Sequence, residues 1–198
     1  GNAERIDDMS LDSSAFEPQI AINKQGKAVA TWYQSSAGSS IKSVWANIYE
    51  KVQGAEGEES VNKWLGAEVI SDNLSGGDAS APEVGVDDQG NIISVWLEDV
   101  NGVKQLKSNY YNADTRAWLA EPTTLNGAFS GSAKQPNLAY SPDGIAVLAW
   151  SQQESGLFHI YVSRFSNNAW SEPRKLNVAD TGLNLQFSGA SNPNVTMA

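Results

Sequence analysis

Three stretches of the chain alternate apolar and polar residues, turn on a glycine, run on as an apolar-rich segment and close on a tryptophan. They read Pro18-Gln-Ile-Ala-Ile-Asn-Lys-Gln-Gly-Lys-Ala-Val-Ala-Thr-Trp32, Pro82-Glu-Val-Gly-Val-Asp-Asp-Gln-Gly-Asn-Ile-Ile-Ser-Val-Trp96 and Pro136-Asn-Leu-Ala-Tyr-Ser-Pro-Asp-Gly-Ile-Ala-Val-Leu-Ala-Trp150. In each copy Gly follows Pro by 8 positions and Trp follows Gly by 6. Short runs of this kind predict strands rather than helices. The polar turns Asn23–Gly26, Asp87–Gly90 and Ser141–Gly144 predict antiparallel hairpins, each with glycine at a positive φ.

Two further runs follow in each copy. The third aligns Val44–Tyr49, Leu106–Tyr111 and Ile160–Phe165. The fourth starts at Trp64, Trp118 or Trp170 and carries Glu68, Glu121 or Glu172 shortly afterwards. Pro122 and Pro173 in that run make it an edge strand, because proline removes a ladder donor. No segment keeps a helical period, so the expected class is all-β.

The repeats are 64, 54 and 57 residues long. Four strands per period predict a β-propeller-type fold built of four-stranded antiparallel blades. The expected organisation is one repeat domain over residues 1–198. Residues 3–8 are the outer strand of a preceding blade, 18–72, 82–126 and 136–177 are complete blades, and 193–198 are the first strand of a further one. The reason for the first assignment is that Asp8, Asp72 and Asn126 each lie 10 positions before a repeat proline. With partial blades at both ends, the expectation is a piece of a longer ring, with a half-ring completed by a second copy or an unusual small closure as the alternatives.

Repeat positions carry packing information. Ala15, Ala79, Ala133 and Ala190 precede the prolines by three, and Ala21, Gly85, Ala139 and Thr196 follow them by three; crowding of inner strands near the axis accounts for such small residues. Ile20/Ile22, Val84/Val86 and Leu138/Tyr140 should fill the space between blades, with Trp32, Trp96 and Trp150 as core. Polar positions vary between copies: Gln19, Glu83 and Asn137 directly after Pro, and Gln34, Glu98 and Gln152 two past Trp. Strand one begins where strand two ends, so these six are expected to form a ring near the axis, either binding ligand or joining neighbouring blades.

Charge changes this picture in one respect. The net charge of −10 argues against a nucleic-acid partner, which needs clustered Lys and Arg. The absence of Cys excludes disulfides and thiolate chemistry. No apolar run approaches the length of a membrane span, and no basic-then-apolar leader is present.

Candidate chemistry is sparse. Glu83 and Glu98 fall in one blade and offer two carboxylates, the requirement for glycoside hydrolysis. His159, the single His, reads as a strand position within Phe158-His159-Ile160. No cofactor is expected; Asp87-Asp88-Gln89-Gly90 and Asp7-Asp8 offer oxygens to Ca²⁺ without the spacing of an EF-hand. Asn73-Leu-Ser75 and Asn194-Val-Thr196 fit the glycosylation sequon.

The pattern Pro-x-Val-Ala-x₄-Gly-x₅-Trp, followed by a third strand and Trp-(Ser)-x-Pro-x-x-Leu, resembles repeats of bacterial sialidase-like β-propeller proteins, many of them exported. That resemblance implies a propeller and an extracellular, periplasmic or cell-surface location. It does not carry the activity over: Arg5, Arg116, Arg164 and Arg174 do not reproduce the sialidase arginine set, and Arg5 lies in Arg-Ile-Asp where the family has Arg-Ile-Pro. A weaker similarity is to fucose-binding lectins with Trp and Glu in each blade. The expected function is a non-enzymatic binding module for glycan or protein, with Tyr33, Trp45, Tyr110 and Tyr161 as candidate stacking residues. A glycosidase of sialidase-like fold is the competing reading, and a structural or self-assembling spacer the third.

Overall fold

The three glycine turns close three hairpins. Gly26, Gly90 and Gly144 have φ of 83°, 88° and 86°, and each accepts a turn in which its N–H donates to the carbonyl three residues back. A type I turn completed by a left-handed residue matches the twist of the strands it joins. The structure is a computed structural model that describes residues 3–7, 13–55, 58–72 and 77–176.

Among these residues all regular structure is β, in three antiparallel sheets. The first sheet orders β1 (Phe16–Ile22), β2 (Ala28–Ser35), β3 (Lys42–Val52) and a fourth element split into β4 (Val61–Trp64) and β5 (Glu68–Val69). The second holds β6 (Ala79–Val86), β7 (Ile92–Val100), β8 (Val103–Asn112), β9 (Ala117–Trp118) and β10 (Thr123–Thr124). The third holds β11 (Ala133–Tyr140), β12 (Ala146–Glu154), β13 (Leu157–Ser166), β14 (Ala169–Trp170) and β15 (Arg174–Lys175). Strand β6 lies across β1, β2 and β3, and β11 lies across β6, β7 and β8. Successive sheets therefore pack face to face through their inner strands. This is a β-propeller-type arrangement of three blades.

Two local features differ from the expected pattern. The inner strands begin before their prolines, and each prolines' site is a β-bulge: register shifts fall between Phe16 and Gln19, Ser80 and Glu83, and Lys134 and Asn137. The residues before proline, Glu17, Ala81 and Gln135, sit at φ of 49°, 50° and 52°. A bulge is one of the few places in a sheet where a missing N–H costs no ladder bond. The fourth strand is an edge strand in two short pieces, and Pro122 and Pro173 occupy the breaks.

The core follows the repeat. Trp96 is fully buried with Val44, Ala46 and Ile70 of the first blade, and Trp150 with Leu97, Leu106 and Leu125 of the second. Trp32 clusters with Ala30 and Trp45, and Ile6 packs against that cluster. Asn47 Nδ2 donates to the Ile6 carbonyl at 2.8 Å, as Asn109 Nδ2 does to Ile70 at 2.9 Å. Residues 3–7 thus stand to the first blade as residues 67–71 stand to the second, although they form no strand. Gly85 shows why the inner positions are small, since a Cβ there would lie 2.5 Å from the Tyr140 Cβ. Val84 and Val86 are packed between blades, whereas their counterparts Ile20 and Ile22 are exposed.

The trailing segments differ by one residue from the alignment by proline spacing. Val44 N–H is taken by Ser71 Oγ and Leu106 N–H by Asn126 Oδ1, so Ser71 rather than Asp72 is the counterpart of Asn126. Asp8 and the segment 193–198 lie outside the described residues.

Candidate functional site

The six variable polar residues separate into two tiers. Gln34, Glu98 and Gln152 lie at the ends of the second strands, with Glu98 opposite Ala79 and Gln152 opposite Ala133. Gln19, Glu83 and Asn137 pair with Thr31, Val95 and Ala149, three positions back along the same strands. An odd offset places the two sets on opposite sheet faces, so they do not form one ring.

The first tier is buried and occupied. Trp32, Trp96 and Trp150 donate their indole N–H to Gln34 Oε1, Glu98 Oε2 and Gln152 Oε1 at 3.0, 3.2 and 3.2 Å. Gln34 Nε2 donates to the Ser13 carbonyl at 3.0 Å and Gln152 Nε2 to the Gly131 carbonyl at 2.7 Å. Asn126 Nδ2 adds a bond to Gln152 Oε1 at 3.1 Å. Burial pushes the Glu98 carboxyl above its ordinary value; the Trp96 bond opposes this, Asp72 reinforces it, and Lys107 opposes it more weakly.

In the second tier Gln19 is exposed, while Glu83 and Asn137 are half-buried. Burial also raises the Glu83 carboxyl, against a hydrogen bond from the Leu138 N–H. Glu83 therefore reaches from the second blade to the inner strand of the third. Glu83 and Glu98 belong to one hairpin but point to opposite faces of it.

Trp45, Tyr110 and Tyr161 are buried and leave no face for a ligand. The middle of β3 and of β8 is buried on both sides, whereas on β13 burial alternates and takes in Tyr161. Tyr33 alone of the four aromatic candidates is partly open, and it stacks on Phe16, with centroids 5.4 Å apart and planes at 23°. Phe16 is 44% exposed. Lys42 Nζ lies 5.5 Å from the Phe16 centroid and 5.4 Å from that of Tyr33. Two carboxylates flank this platform: Glu17 Oε2 accepts the Ala81 N–H at 2.9 Å, and Asp78 Oδ1 accepts the Lys42 N–H at 2.9 Å. Burial first, then Glu17 and Asp78, push the Tyr33 phenol upward.

Sequence reasoning passed over Phe16 and Lys42. The available signal was the position two before the repeat proline, where Phe16 stands in place of Ser80 and Lys134. The third blade builds a related pair with the residue types exchanged: Lys134 Nζ sits 4.2 Å above the Phe158 ring.

At the opposite end of the inner strands the turns interlock. Asn23 Nδ2 donates to the Asp87 carbonyl at 2.8 Å, and Asp88 N–H donates to the Pro142 carbonyl at 2.9 Å. The buried Asp87 carboxylate accepts from Asn91 N–H at 2.8 Å, Asn91 Nδ2 at 2.9 Å and Tyr140 O–H at 3.1 Å. Asp88 pairs with Lys24. Both Asp residues of this Ca²⁺ candidate thus have protein partners, and among the described residues no group of three or more His, Asp or Glu gathers to hold a metal. His159 lies opposite Gln152 in the ladder, and the sequons at Asn73 and Asn194 lie outside the described residues.

No family model and no curated protein matches this chain. Solved structures are similar to it, and three of them show the extent of the likeness. The endo-arabinase of Bacteroides thetaiotaomicron is 16% identical, over 83% of this chain and 61% of that one, with a TM-score of 0.45. The α-L-arabinanase of Cellvibrio cellulosa, in complex with arabinohexaose, is 14% identical over 94% and 60%, at 0.43. A glycosyl hydrolase of Bacteroides ovatus is 11% identical over 84% and 50%, at 0.42. The chain spans about half to three-fifths of the length of these proteins. At such identities the likeness concerns the fold.

Proposed function

We propose that the chain is a carbohydrate-binding module that works through the end of the blades where the inner strands begin. The observation that carries this reading is the Phe16–Tyr33 stack with Lys42 beside it. An open aromatic face receives the C–H edge of a sugar ring, while the Lys42 ammonium and the Glu17 and Asp78 carboxylates supply donors and acceptors for hydroxyls. Few polar groups around an apolar platform is the usual composition of a small-ligand site. Titration with neutral oligosaccharides, followed by tryptophan fluorescence or calorimetry, tests it. Phe16→Ala should abolish binding and leave the unfolding midpoint almost unchanged, since the ring is exposed. Binding that persists in Phe16→Ala at undiminished affinity sinks the assignment.

Glycoside hydrolysis is a second reading, favoured by Glu83, a half-buried carboxyl held above its ordinary value and so suited to act as a general acid. Hydrolysis of aryl-glycosides that disappears in Glu83→Gln would establish it over the first.

A further inference from the structure

The positions that build the aromatic platform recur in all three blades, but only the first blade fills them with two rings. Phe16, Ser80 and Lys134 stand two before the repeat prolines, and Tyr33, Leu97 and Ser151 directly follow Trp32, Trp96 and Trp150. The third member of each set is Lys42, Lys104 or Phe158, paired in the ladder with Ser35, Asp99 or Gln153.

The third blade shows what an ammonium does in this place. Lys134 Nζ sits 4.2 Å from the Phe158 centroid, close enough for the ring quadrupole to hold a cation. In the first blade lysine and ring have exchanged positions, and a second ring is added. Phe16 and Tyr33 stack with centroids 5.4 Å apart, and Lys42 Nζ lies 5.5 and 5.4 Å from them. Three nearly equal separations make a triangle, which puts Lys42 on the Tyr33 side of Phe16. Lys42 therefore does not cover the far face of Phe16, a side chain 44% exposed.

Charge around the platform is negative on balance. Glu17 and Asp78 are exposed carboxylates set against one ammonium, that of Lys42. Each commits one oxygen to a backbone N–H: Glu17 Oε2 accepts from Ala81 and Asp78 Oδ1 from Lys42, both at 2.9 Å. That leaves Glu17 Oε1 and Asp78 Oδ2 for a ligand. After burial, these same two carboxylates push the Tyr33 phenol upward.

We infer, resting on the carbohydrate-binding reading, that this platform selects sugars bearing a protonated amino group. The sugar ring lies on the open face of Phe16, and its ammonium is drawn to Glu17 and Asp78. Such a sugar offers both the apolar C–H edge that the ring receives and the positive charge that the carboxylates favour. A neutral sugar offers only the first. An acidic sugar meets two carboxylates against one ammonium, and the net charge of −10 repels it at longer range.

Calorimetric titration with a glucosamine disaccharide and with its N-acetylated counterpart tests this, because acetylation replaces the ammonium by a neutral amide. The amine form should bind about three- to tenfold more tightly, and added salt should narrow that gap. Glu17→Gln and Asp78→Asn each keep an oxygen for the backbone N–H and remove a charge, so each should also narrow it. Phe16→Ala should abolish binding of both forms. Equal or tighter binding of the N-acetylated form, lost in Phe16→Ala, overturns the preference for amino sugars and leaves the carbohydrate-binding reading standing. Binding of neither form overturns both. A gap that persists undiminished in the two carboxylate variants overturns the preference, as does amine binding that survives Phe16→Ala, which would report overall charge alone.

Discussion

Asn109 donates its side-chain amide to the Ile70 carbonyl at 2.9 Å, a buried bond that crosses from the second blade to the trailing segment of the first. The same amide also reaches the Leu119 carbonyl at 3.2 Å. Asn109→Ala would leave both carbonyls without this donor in a buried seam, costing about 2–3 kcal/mol. Asn47→Ala removes the equivalent bond to Ile6, in a more exposed segment, and should cost about 1–2 kcal/mol. Chemical denaturation of the two variants checks the order.

Trp150 is fully buried, stacks on Tyr161 with centroids 6.0 Å apart, and donates to Gln152. Trp150→Ala leaves a cavity between the second and third blades and removes one of the two donors to Gln152 Oε1, the other being Asn126 Nδ2. A loss of about 3–5 kcal/mol is expected from the cavity. Thermal unfolding of Trp150→Phe, which keeps most of the volume, should lie between the wild type and the alanine variant.

Tyr140 ties the third blade to the second through its O–H on Asp87. Burial, and then Asp87, push its phenol above the ordinary tyrosine range. Tyr140→Phe should cost about 1–2 kcal/mol at neutral pH, because Asp87 keeps its two Asn91 bonds. The folded value is the raised one, so the Tyr140 contribution is complete below the unfolded value of about 10 and declines above it. The gap in stability between wild type and Tyr140→Phe should therefore narrow in alkali, which denaturation at pH 8 and above about pH 10 measures.

Glu50 is mostly buried between Lys27 of its own blade, at 3.1 Å, and Arg116 of the next. Lys27 in turn sits 4.8 Å over the Tyr111 ring. Glu50→Gln should destabilise by about 1 kcal/mol at low salt. The loss should shrink as added salt shortens the screening length. A loss indifferent to salt would assign the contribution to packing instead.

Much of the blade was legible because each of its parts is set locally. Glycine at the hairpin turn, period-two apolar residues and the recurrent Trp depend on a few neighbours in the chain, and the proline spacing repeats them in register. The bulge was less legible. Proline marked it, but a strand start and a bulge both tolerate a residue without an N–H, and only pairing of Phe16 with Tyr33 and Gln19 with Thr31 separates them. The offset between Asp72 and Ser71 has a similar origin, since the loop leading to the repeat proline is one residue longer after Ser71 than after Asn126.

Periodicity and turn chemistry act over short distances, so the all-β class, the four recurrent extended runs and the core roles of Trp32, Trp96 and Trp150 are readable along the chain. Which polar residues remain available depends on how the blades pack against one another. Gln34, Glu98 and Gln152 look like surface amides and acids until the neighbouring blade closes over them, and Trp45, Tyr110 and Tyr161 look like platforms until strand three is covered. Phe16 shows the reverse, an aromatic left open at the end of its strand. Burial of a side chain depends on what a distant part of the chain lays against it, and no local pattern carries that information.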